Sequence, residues 1–184
     1  MILRLASSNA NKARELERAV PGWKIEPLEA DDYPPEDGET YYDNALIKAR
    51  FGHGLAPESI VLGEDSGIEV VALGGNPGVH SARWAEDGVA RLLAELTGES
   101  DRRARYVCEL VALLPDGTER RGHGTLEGTI AQERSGTEGF GYDPVFVPVG
   151  ETRTVAELGN DWKSTNSHRA RAARALVQVL GSPS

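Results

Sequence analysis

Four short stretches gather side chains able to grip or cleave a phosphorylated ligand. The first, Ser7-Ser8-Asn9-Ala10-Asn11-Lys12, offers hydroxyls, amides and one ammonium at the start of a helical pattern. Backbone N–H groups at a helix start add further donors for phosphate oxygens. The same string also suits a plain Ser/Asn helix cap, and it is not a P-loop, since G-x-x-x-x-G-K-[ST] is absent. The second stretch, Glu64-Asp65-Ser66-Gly67, places adjacent carboxylates at the end of an apolar run. Neighbouring side chains of a strand face opposite ways, so only one of the two can enter a site on a given face. A second carboxylate is expected from the acidic loop, where Glu36, Glu39 and Asp43 are available. Hard oxygen ligands combined with phosphate oxygens suit magnesium. Alone, the string also reads as a turn with solvated acids.

The third stretch, Gly139-Phe140-Gly141-Tyr142-Asp143-Pro144, pairs glycines that permit close backbone approach with aromatics flanking an acceptor carboxylate. A planar base could stack there, or Tyr142 could simply belong to the core. The fourth, Lys163-Ser164-Thr165-Asn166-Ser167-His168-Arg169, is rich in donors for phosphate and keto oxygens, or is a Ser-capped basic helix. Arg occurs sixteen times and Lys four times, yet Lys12, Lys48 and Lys163 all fall in or beside these stretches. Compact point charges in an Arg-preferring chain suggest sites where a guanidinium would not fit. Nucleophilic and zinc chemistry are excluded. Cys108 has no neighbouring His, G-x-S-x-G is missing, and His53, His80, His123 and His168 lack zinc-ligand spacing.

These stretches need a scaffold, and 184 residues, 39% hydrophobic and 27% charged, suit one domain over 1–184. Periodicity predicts strands at 2–6 and 23–28 around a helix at 12–20, then an acidic loop at 30–39. A helix is expected from about Thr40 to Gly52 or Gly54. Strand 60–62 should run into Gly63-Glu64-Asp65-Ser66-Gly67, with 68–73 continuing extended and a turn or loop at 74–78. A helix at 87–96, a hairpin of 105–114 with 120–130, a short strand at 145–147 and a last helix at 167–180 follow. This order predicts an α/β fold with a mixed sheet covered by helices.

A net charge of −9 leaves no broad cationic surface, so neither nucleic acid nor an anionic membrane is an expected partner. One cysteine excludes an intrachain disulfide and fits a reducing compartment. No apolar run approaches the ~18 residues of a membrane span, and the start is too short for a signal peptide, so the cytoplasm is expected.

Taken in order, these segments resemble the inosine triphosphate pyrophosphatase family, which acts on non-standard purine nucleoside triphosphates. The matching strings are those four, together with Asp43-Asn44-Ala45, Lys48-Ala49 and Pro77-Gly78-Val79-His80-Ser81-Ala82-Arg83-Trp84. The resemblance implies an elongated mixed β-sheet flanked by helices, two lobes with an active-site cleft between them, and a homodimer. It implies that ITP, dITP or XTP is hydrolysed to the monophosphate and pyrophosphate with Mg2+. Ser7, Asn9 and Lys12, with Ser8 and Asn11 in the same loop, become triphosphate ligands. Glu36 and Asp65 become the metal and catalytic carboxylates, while Lys48 and Lys163 add charge. Ser66 would contact the nucleotide, Phe140 would stack on the base beside Gly141 and Tyr142, and Asp143, His168 and Arg169 would read its edge. Arg83 is a further contact. The family has Asp where this chain has Glu64, Glu where it has Asp43, and a frequent glycine at Ser8. Rival readings are a Maf-type pyrophosphatase for modified pyrimidine triphosphates and a nucleotide-binding sensor without catalysis.

Overall fold

A computed structural model describes residues 1–7 and 9–181. In chain order the elements are β1 (Ile2–Leu5), α1 (Ala10–Ala19), β2 (Lys24–Pro27), α2 (Tyr41–Leu55), β3 (Ile60–Val70), α3 (Gly88–Glu95), β4 (Arg103–Leu113), β5 (Glu119–Ile130), β6 (Phe146–Pro148), α4 (Val155–Asn166) and α5 (His168–Leu180). Short 3-10 turns occupy Val71–Leu73 and Gly78–His80. The six strands form one sheet in the order β2-β1-β3-β4-β5-β6. β2, β1 and β3 run parallel, and β3 to β6 pair antiparallel, so the sheet is mixed as expected. Helix α2 packs on β3 and β4 from one side, while α5 packs on β4 and β5 and α1 packs on α5.

Three helix starts follow directly from capping chemistry. Asn9 accepts from the Asn11 N–H ahead of α1, and Thr40 with Asp43 and Thr154 with Glu157 form capping boxes ahead of α2 and α4. α4 goes beyond the elements expected from periodicity. Its signal is the Thr154-x-x-Glu157 pattern, obscured by Gly159, whose φ of 84° interrupts the helix.

The alternative of a turn with solvated acids at 63–67 does not hold, and the extended run expected to Leu73 ends at Val70, where a 3-10 turn begins. β3 continues without interruption, pairing with β4 from Val61↔Leu113 to Val70↔Ala104. Gly63 is present for close packing: a Cβ there would lie 1.9 Å from the Ala45 carbonyl oxygen of α2. A glycine inside a strand marks such an approach of another backbone as readily as a turn. Helix α5 sits equally close to β5, since a Cβ on Gly124 would lie 2.2 Å from the His168 carbonyl oxygen.

The apolar core divides where β3 turns polar. Leu62, with Leu3, Leu5, Leu16 and Leu176, belongs to one cluster, and Ile68, with Leu92, Val145 and Phe146, to another. Each fully buried Leu or Ile contributes roughly 1.5–3 kcal/mol, so both ends of β3 are anchored and Glu64, Asp65 and Ser66 are held between them. Gly63→Ala should therefore cost about 2–3 kcal/mol and lower the melting temperature by roughly 5–10 °C. A thermal melt within a degree of the parent would show that α2 can back away from β3.

Candidate active site

Alternation along β3 sends its two acids to opposite faces. The fully buried Glu64 points toward α1 and α5: its carboxylate meets Lys12 Nζ at 2.6 Å and accepts from Arg169 Nε at 3.0 Å. Ser66, two residues on, accepts from the same guanidinium at 2.7 Å. Asp65 faces α2, where Asn44 Nδ2 donates to Oδ2 at 3.1 Å and Lys48 Nζ lies 3.3 Å from Oδ1. Lys48 also donates to the Glu64 carbonyl at 2.9 Å and meets Glu36 Oε1 at 2.5 Å.

The caps of α1 and α5 aim their first turns at this strand. Ser167 accepts from the Ala170 N–H, which leaves His168 and Arg169 at the head of α5. His168 stacks on Tyr106 with centroids 4.5 Å apart and planes 11° from parallel. Asp143 is buried and accepts from Phe140 N–H at 2.9 Å, Tyr106 hydroxyl at 3.2 Å and Lys163 at 2.7 Å. Phe140 presents its ring to Lys163 Nζ at 4.7 Å and Arg169 Cζ at 5.4 Å, a cation–π geometry.

These groups enclose a cavity of about 160 Å³ lined by Asn9, Lys12, Ser66, Phe140, Gly141, Tyr142, Asp143, Lys163, His168 and Arg169, with Tyr106, Ser81 and Ala82. Asp65, Lys48 and Glu36 lie on the other face of β3, outside that lining, and join it through Lys48 and the Glu64 backbone. Ser7 is outside the lining and accepts from the Asn9 N–H. Asn11 turns to solvent and accepts from Arg14. Arg83 also stands outside it, bound to Glu36. Ser8 lies outside the described residues.

Glu15, Asn44 and Tyr106 are additional members that motif reasoning passes over. Glu15 pairs with both Lys163 and Arg169. It sits one turn after Lys12 on the same face of α1, which is the signal that could have found it. Five cations, Lys12, Lys48, Arg83, Lys163 and Arg169, thus face five carboxylates, Glu15, Glu36, Glu64, Asp65 and Asp143.

The charges set the protonation states. Burial works against an ionised Glu64, yet Lys12, Arg169 and Lys48 outweigh it and hold the carboxyl well below the usual range. Burial pushes Asp65 up against the pull of Lys48, and the neighbouring Glu64 and Glu36 charges add to the rise. Glu36 is also opposed by burial but is held down by Lys48, Lys12 and Arg83. Burial first, then Arg169, Lys163 and Lys12, drives His168 far below its ordinary value, so its imidazole is neutral. Its Nδ1 is buried without a hydrogen-bond partner.

Glu36 and Asp65 converge on one ammonium, so their hard oxygens already share a cationic point. Among the described residues no group of three His, Cys, Asp or Glu side chains could hold a metal by itself. That pair fits an ion such as magnesium, which takes one or two carboxylates and completes its shell with phosphate oxygens and water.

Known proteins carry the same arrangement of chain. Residues 3–179 match the Ham1 family. A dITP/XTP pyrophosphatase of Symbiobacterium thermophilum is 47% identical over 185 residues, covering 96% of this chain and 93% of that protein. The dITP/XTP pyrophosphatase of Deinococcus deserti is 42% identical over 179 residues, covering 94% and 86%. Among solved structures, the Ham1 protein of Staphylococcus aureus superposes with a TM-score of 0.85 at 34% identity, with 98% of each chain covered. That of a nucleoside-triphosphatase, dITP/XTP pyrophosphatase, from Mycobacterium abscessus gives 0.74 at 39% identity, covering 98% of this chain and 100% of the other. With the match spanning nearly its whole length, the chain belongs to the Ham1 family.

Proposed function

We propose that this protein hydrolyses the α–β phosphoanhydride of non-standard purine nucleoside triphosphates, ITP, dITP and XTP, releasing the monophosphate and pyrophosphate. The observation that carries the reading is one hollow in which Lys12, Lys163 and Arg169 surround a stacking ring, Phe140. The relatives' names point the same way. A homodimer and a cytoplasmic home, suited to the single buried Cys108, belong to the same proposal.

The triphosphate would lie between the start of α1 and the start of α5, with Lys12, Lys48 and Lys163 stabilising charge that grows on phosphate oxygens during displacement. Asp65 is the catalytic carboxylate: Asn44 and Lys48 fix its two oxygens, and its raised pKa improves it as acceptor of a proton from the attacking water. Glu36 and Asp65 would hold a magnesium ion, which supplies Lewis-acid neutralisation of the phosphates. The cations of the cluster are already matched by carboxylates, Arg83 on Glu36 included, so it holds no surplus positive charge for an uncomplexed triphosphate, and the reaction would need a divalent ion.

Base choice follows from hydrogen-bond capacity. Arg169 has five N–H donors, of which contacts to Glu64, Glu15 and Ser66 use three, leaving donors for a 6-keto oxygen. Asp143 keeps a free lone-pair direction on Oδ1, which takes only the Tyr106 hydroxyl, for an N1–H. Adenine reverses both groups and would leave buried partners unmatched, a mismatch that discriminates by roughly 10⁴.

Asp65→Asn should reduce kcat on ITP by roughly 10²–10⁴ with an unchanged circular dichroism spectrum; near-normal turnover would remove Asp65 from its role. Across a panel of nucleotides, pyrophosphate release should be fast from ITP, dITP and XTP and slower by roughly 10⁴ from ATP. Preference for a methylated UTP would favour the pyrimidine reading, and magnesium-dependent binding without turnover would favour the sensor. The proton acceptor must be ionised, so activity should fall as pH drops through the Asp65 pKa. In protein free of metal and nucleotide, an NMR titration of the Asp65 carboxyl should give a midpoint above the ordinary aspartate value of 3.8, and a midpoint at or below that value would contradict the assignment.

A further inference from the structure

Arg83 sits on the segment just beyond the Gly78–His80 turn, 47 residues from Glu36 in the chain, and grips that residue twice. One N–H donates to the Glu36 carbonyl at 2.7 Å and another to its Oε2 at 3.3 Å. The other carboxylate oxygen, Oε1, meets Lys48 at 2.5 Å, beside Asp65. The guanidinium therefore holds both the backbone and the side chain of the acid, and its contact with His80 Nδ1 at 3.2 Å keeps it in place.

The support beneath Arg83 is rigid. Ser81 Oγ accepts from the Ile68 N–H at 2.9 Å, and the Ser81 carbonyl accepts from the Tyr142 hydroxyl at 3.0 Å. The Arg83 segment is thus fastened to β3 and to a wall of the base cavity. Besides Arg83, the acidic loop is held by Lys48 on Glu36, by Tyr33, which rests on Phe51 with centroids 5.6 Å apart and donates to the Leu28 carbonyl, and by the Gly38 N–H, which donates to Asn44 Oδ1 at 2.9 Å.

We infer that Arg83 is a positioning residue that latches the acidic loop to the base-cavity wall and sets Glu36 over Lys48 and Asp65. Resting on the functional reading above, this departs from a direct contact between Arg83 and the nucleotide. It makes the geometry of the metal-binding carboxylate depend on a segment that also lines the base cavity, where Ser81 and Ala82 are found.

Two variants, Arg83→Met and Arg83→Lys, test it with readouts that separate a latch from a substrate ligand. In protein free of nucleotide and metal, Arg83→Met should speed hydrogen exchange of the Gly38 amide, which donates to Asn44 Oδ1, by about tenfold while leaving β3 protected. Under turnover it should raise the magnesium concentration giving half-maximal pyrophosphate release by about tenfold, with kcat recovered at excess magnesium and the nucleotide KM within about twofold. Arg83→Lys should fall between parent and Met variant in both. Unchanged exchange together with unchanged magnesium demand would overturn the latch. A raised nucleotide KM at unchanged magnesium demand would also overturn it, making Arg83 a substrate ligand. If the parent releases no pyrophosphate from any nucleotide, the proposed activity fails, and the exchange measurement alone decides for or against the latch.

Discussion

Glu64 carries a negative charge at a point with no solvent exposure, between an ammonium from the first turn of α1 and a guanidinium from the first turn of α5. An ion withdrawn from water costs several kcal/mol unless excellent geometry returns it, and stripping a partner from such a pair costs about 3–5 kcal/mol. Three elements remote in sequence are consequently bound to one register. The parts of the hollow that face a ligand inherit their placement from this buried junction. If Lys12 moves, Glu64 is left to Arg169, and if Arg169 swings out, Glu64 is left to Lys12 and Glu15 to Lys163.

The base end repeats the same logic with one carboxylate and three donors. Asp143 gathers the Phe140 amide, the Tyr106 hydroxyl and Lys163, so the Phe140 segment, the aromatic floor under His168 and the Lys163 ammonium are set by one group. The length of the Glu64 side chain suits this plan. Its extra methylene lets the carboxylate reach Lys12 and Arg169 together on the α1 and α5 side, while Asp65, on the opposite face, retains the shorter side chain next to Lys48.

Much of this was legible in the residues alone. The order of strands and helices followed from periodicity and caps, and the opposed directions of Glu64 and Asp65 followed from the alternation of a strand. Continuity of β3 through Gly63 was not legible, because a glycine that admits a neighbouring helix is spelled like one that makes a turn, and only the distance to Ala45 distinguishes them. Glu15 and Asn44 sit in ordinary helical sequence, and their importance comes from what tertiary packing brings to them: Lys163 and Arg169 in one case, Asp65 and the Gly38 amide in the other. The pairing of Arg83 with Glu36 was not legible either, because 47 residues separate them and only the folded chain brings the guanidinium to that carboxylate.

The pairing of Lys12, Lys48, Lys163 and Arg169 with internal acids has a consequence for turnover. A small inorganic anion that enters must displace one carboxylate and leave it stranded, so it gains little; a chain of phosphates joined to a flat ring can relieve several acids at once. Under the proposed function, the protein's own carboxylates would act as placeholders that a lone orthophosphate displaces at little gain. Once cleavage divides the ligand into two weaker fragments, the return of those acids to their partners favours departure of both.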